Sequence, residues 1–134
     1  MTPHDLAARF LTKAAQDEAL VDRVIADQGI ADDIVGFHLQ QAAEKLLKSV
    51  LAARAVTFRR THDLLELMDT LADAGTPVPD GLRDLDALNP FAVEARYDIL
   101  PPSSPPLDRG SLRGQIFALR AWAEAVITAN GVAG

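Results

Sequence analysis

Between residues 54 and 63 the chain reads RAVTFRRTHD, which places Arg54, Arg59 and Arg60 within a few positions of His62. Planar guanidinium forks suit phosphate and carboxylate, and an imidazole exchanges a proton near neutral pH. If Thr61 caps a helix there, the helix's unpaired N–H groups and positive dipole end point at the same place. The cluster then forms a local anion site whose natural guest is phosphate. The plainer alternative is a solvated turn in which an arginine pairs with Asp63 or Glu66, an exposed contact worth only a fraction of a kcal/mol.

Two further stretches carry polar groups in ordered spacing. His38, Gln41, Lys45 and Lys48 follow one another by three, four and three, so on a helix they stack as one row, flanked by Gln40 and Glu44. Either the row belongs to a half-exposed helix with solvated side chains, or it lines a groove or subunit interface. His38, Gln41, Glu44 and Lys45 are the residues expected at such an interface, beside Phe37, Leu47 and Leu51. In LNPFAVEARYD (88–98), Phe91 and Val93 read as core, whereas Arg96 and Tyr97 fit a helix end. No glycine-rich phosphate loop, paired metal-binding histidine motif or nucleophile elbow is present. His4, His38 and His62 lie too far apart in the sequence to suggest a metal, so neither metal nor cofactor is expected.

Helices must position these groups. Ala and Leu fill 41 of the 134 positions, no cysteine is present, and residues favouring strands are scarce. One domain spanning 1–134, an all-α up-and-down bundle of four to five helices, is expected. The first helix covers about 5–27, starting near Thr2 or Pro3, with Asp17 interrupting its apolar stripe. The second runs from an Asp32 cap to Arg54 on the row Val35, Leu39, Ala42, Leu46, Val50. A third covers 62–74 from a Thr61 cap, and its short link to the second predicts a hairpin. Asp80 caps a weaker stretch, Asn89 with Pro90 restarts the chain toward Tyr97, and LPPSSPPL (100–107) is an extended loop. Within it, Pro102 to Pro105 has the spacing of a polyproline ligand. Asp108 opens the last helix and Gly131 closes it.

The net charge of −6 argues against a surface that grips nucleic acid throughout, so any polyanion site is local. No apolar run approaches the ~20 residues of a membrane span, and the start of the chain is polar. No membrane association is expected, and the reading is a soluble, cytoplasmic protein.

Taken together, HLQQAAEKLLK (38–48), RTHDLLEL (60–67) and LNPFAVEARY (88–97) resemble the HEPN domain, in order and spacing across residues 5–130. The resemblance adds Thr61, Asp63, Asn89, Arg96 and Tyr97 to the motif residues. It implies a helical bundle, a homodimer, association with nucleotide or RNA, and a minimal nucleotidyltransferase partner in a toxin–antitoxin pair. In some relatives an Arg and a His four to six residues apart cut RNA without a metal. Here Arg54 and His62 have seven residues between them, Arg59 and His62 two, and Arg60 and His62 one. The chain therefore reads first as a binding and regulatory module. The alternative is a metal-independent RNase with a degenerate motif, using His62 with Arg54 or Arg60. In some related systems a tyrosine receives a nucleotide, and Tyr97 is the only tyrosine.

Overall fold

A computed structural model describes residues 1–92 and 105–133. They form α1 (Pro3–Val24), α2 (Asp32–Ala53), α3 (Leu64–Asp73), a 3₁₀ segment (Asp80–Phe91) and α4 (Arg109–Ala133). The expected all-helical bundle is what is observed. None of the described helices is long and apolar enough to cross a membrane.

α1 begins with a reciprocal cap. The Asp5 N–H donates to the Thr2 hydroxyl at 3.1 Å, the Thr2 N–H donates to the Asp5 carboxylate at 3.0 Å, and Pro3 takes the first turn. α2 is the centre of the molecule, with 14 of its 22 residues buried. It packs most extensively on α1, then on α4, and Leu39, Leu46, Leu47 and Leu51 all lie in the core. Leu47 and Leu51 therefore cannot supply the surface apolar patch expected beside the polar row. Gly36 lets the Phe91 ring lie directly on α2, since a β-carbon there would come within 2.4 Å of the ring.

Several helix ends depart from expectation. Asp32 is not the cap of α2, a place held by Ala31. Its carboxylate instead accepts from the Leu107 N–H at 2.9 Å and from Arg109 Nε at 3.0 Å. α3 is capped by Asp63, not Thr61. The stretch from Asp80 is a 3₁₀ helix capped by Pro79, and it continues through Asn89 and Pro90 without a fresh start. Asp108 does open α4, accepting from the Ser111 N–H at 3.1 Å, but the helix runs past Gly131.

Two arginines of α4 hold the bundle together. Arg109, with 10% of its side chain exposed, donates to the carbonyls of Val24, Ile25, Asp27 and Ile30, closing the α1–α2 connection. Arg120 grips the buried Glu18 carboxylate of α1 and donates to the Leu11 carbonyl at 3.0 Å. Arg113 adds an ion pair with Asp22 at 2.7 Å.

Candidate functional site

The spacing of Gln40, Glu44 and Lys48 by four puts them on one face of α2, turned toward the segment before α3. Glu44 is buried and serves as the hub. One carboxylate oxygen accepts from His62 Nδ1 at 2.8 Å and Gln40 Nε2 at 3.1 Å, the other from Lys48 Nζ at 2.8 Å. Gln40, fully buried, also donates to the His62 carbonyl at 2.9 Å and accepts from Gln41 Nε2 at 2.8 Å. A carboxylate facing Nδ1 favours the proton on that nitrogen. The imidazole keeps 32% of its side chain exposed.

The chain after His62 is pinned as firmly. The buried Thr61 accepts from the Asp63 N–H at 3.1 Å, and Asp63 accepts from the N–H groups of Leu65 and Glu66 at 2.9 and 3.3 Å. Asn89 reaches in from the 3₁₀ segment. It accepts from the Leu64 N–H at 2.9 Å and donates to Asp63 at 3.0 Å. His62, Asp63 and Asn89 thus meet, as do Gln40 and Glu44. Arg96 and Tyr97 lie outside the described residues.

This capping overturns one part of the expected anion site. The N–H groups at the start of α3 are occupied by Asp63 and Asn89, so the helix terminus offers phosphate no donors. The arginines also divide. Arg59 forms a two-pronged pair with Glu66, at 3.1 Å from Nε and 2.7 Å from Nη2. Arg54 and Arg60 are exposed and make no ion pair with the described residues.

The expected polar row divides as well. His38 Nδ1 lies 2.9 Å and Lys45 Nζ 2.6 Å from the buried Asp17 of α1, while Gln41 and Lys48 turn to Gln40 and Glu44. Asp17, which interrupts the apolar stripe of α1, is the acceptor the row requires. Buried Glu44 cannot line a surface interface, whereas His38, Gln41 and Lys45 remain partly exposed. Gln40 was read only as a flank, although its four-residue spacing to Glu44 and Lys48 was available in the sequence.

The family model for the HEPN domain matches residues 8–113. The chain belongs to the HEPN family. No curated protein and no solved structure matches it. The match spans every motif described above and ends just inside α4. Membership makes this HEPN chain a nucleotide- or RNA-related helical module.

Proposed function

We propose that this HEPN chain is a binding and regulatory module that receives the phosphate of a nucleotide or RNA at Arg54 and Arg60, with Arg59 and His62 beside them. It acts as a homodimer in the cytoplasm and pairs with a minimal nucleotidyltransferase in a toxin–antitoxin system. The observation that supports the phosphate reading is the pair of exposed guanidinium groups, uncommitted to any described carboxylate, at both ends of a seven-residue segment. Two residues beyond it, His62 is anchored by Gln40 and Glu44. Cations that are not neutralised within the fold are the ones able to release counterions from a phosphate.

Fluorescence anisotropy with a short single-stranded RNA tests this. The Arg54→Ala/Arg60→Ala variant binds more weakly, and its salt slope falls by about 1.4, at roughly 0.7 per lost phosphate contact. Its melting temperature stays within about 2 °C, because exposed substitutions rarely exceed 0.5 kcal/mol. Unchanged affinity removes the site. Light scattering at micromolar concentration should return twice the 14.4 kDa chain mass, and a monomer mass removes the homodimer. A nucleotidyltransferase reading frame adjacent to that of this chain supports the pairing, and its absence counts against it.

A second reading, metal-independent RNA cleavage, draws on the Glu44–His62 contact. A buried carboxylate that orients an imidazole is the arrangement used where histidine serves in acid–base catalysis. Incubation with transfer RNA in excess EDTA decides it. Fragments that persist in the His62→Ala protein rule this reading out.

A further inference from the structure

We infer that the cleft between the first turn of α1 and the segment after α2 is a base-binding slot. The chain then takes a nucleoside phosphate with its base against Phe58 and its phosphate at Arg54 and Arg60. The inference rests on the nucleotide reading above and adds to it the part of the ligand that confers selectivity over bare phosphate.

The cleft measures about 440 Å³, within the roughly 300–1,000 Å³ typical of small-molecule sites. Pro3 and Leu6 form one wall, Val56, Thr57 and Phe58 the other, and Ala52 and Ala55 contribute from the end of α2. None of the lining side chains is charged. A mostly apolar slot of this kind accepts a flat ring whose faces are poorly hydrated.

Phe58 is half-buried, and Lys48 Nζ lies 6.0 Å from its ring centroid. Lys48 is in turn fixed by Glu44 at 2.8 Å, so the ring adjoins an anchored cation. Aromatic rings of this kind are the usual platforms for nucleic-acid bases, because every base has a π-face. Two exposed arginines lie close by along the chain. Arg54 leaves the backbone between Ala52 and Ala55, both of which line the cleft, and Arg60 follows Phe58 by two residues, at most about 7 Å along the chain.

The end of α2 sets the far wall of the cleft. Ala55 holds φ at +55°, a left-handed conformation that alanine rarely adopts. It turns the chain back across the end of α2, with the Val56 N–H donating to the Leu51 carbonyl at 2.9 Å, and so sets Val56 to Phe58 opposite Leu6.

The test titrates the full chain with adenosine monophosphate, adenosine and inorganic phosphate by calorimetry. Adenosine monophosphate should bind at least tenfold more tightly than either fragment. Phe58→Leu keeps the apolar bulk and removes the stacking face. It should lose about fivefold or more for adenosine monophosphate while phosphate binding holds. Leu6→Trp, at an exposed position on α1, fills the slot from the opposite wall and should block the nucleotide without depending on the Phe58 packing.

If both variants bind adenosine monophosphate like the unaltered chain while Arg54→Ala/Arg60→Ala loses it, the base slot is overturned and the phosphate reading stands. The same holds if the unaltered chain binds RNA through those arginines yet ignores adenosine monophosphate. If the double arginine variant binds RNA and nucleotide undiminished, the phosphate reading fails and the inference with it.

Discussion

Arg109 donates to four carbonyls of the α1–α2 connection and to Asp32, satisfying oxygens that would otherwise face a half-buried gap. Removing one partner of such a set leaves several part-buried carbonyl acceptors unsatisfied and Asp32 with only the Leu107 N–H and water, which costs about 1–3 kcal/mol per buried group left unpaired. Arg109→Ala should therefore lower stability by about 3 kcal/mol in urea unfolding. Arg109→Lys should recover little of it, because one ammonium cannot span a fork's acceptors. A loss below 1 kcal/mol would show that water replaces the guanidinium at small cost. Gln40 has a similar standing at the candidate site, since its amide joins the His62 backbone to the Glu44 carboxylate. Both residues act by closing hydrogen bonds that no apolar side chain of equal volume could close.

At the scale of elements, α2 and α3 end in the same hydrogen-bond pattern with different residues in the left-handed position. Gly75 holds φ at +85° after α3, and Ala55 holds +55° after α2. Glycine carries no β-carbon penalty there, so Ala55→Gly should stabilise the chain by up to about 1 kcal/mol, read as a higher urea midpoint at unchanged slope. A lower midpoint would contradict the left-handed assignment.

The helices themselves were readable because the row on α2 and the row Leu112, Ile116, Leu119, Ala123, Val126 on α4 keep a strict three-and-four spacing, and this periodicity survives tertiary context. Their ends were less readable. Thr61 and Asp63 can both cap, and the choice fell to Asp63 because Gln40 holds the His62 carbonyl outside the helix. Asp32 looks like a cap locally, yet a guanidinium 77 residues away claims it. The site divided in the same manner. Its segment, 54–63, was legible from charge and residue type. The commitment of Arg59 to Glu66 and the filling of the α3 terminus by Asn89 depend on pairings that one-dimensional spacing does not encode.

For the whole molecule, acidic surplus and internal arginine pairing set the response to pH. The Leu107 N–H, with Arg109 beyond it, holds the Asp32 carboxyl below the usual carboxylate range, and Arg113 does the same for Asp22. A depressed folded value means the unfolded chain takes up protons first. The stabilisation is therefore complete above about pH 5 and is lost as pH falls through the unfolded and then the folded values. Asp32→Asn should be less stable than the unaltered protein at pH 7, with the gap narrowing in thermal melts as pH falls below about 5. A gap independent of pH would remove Asp32 from the account. The grip of Arg109 on the first connection also fixes an order of events during synthesis. At roughly 5–20 residues per second, residue 109 leaves the ribosome about 4–15 s after residue 32. Through that interval the nascent hairpin has no clasp, so products truncated before α4 would carry an unlatched bend that proteases can reach.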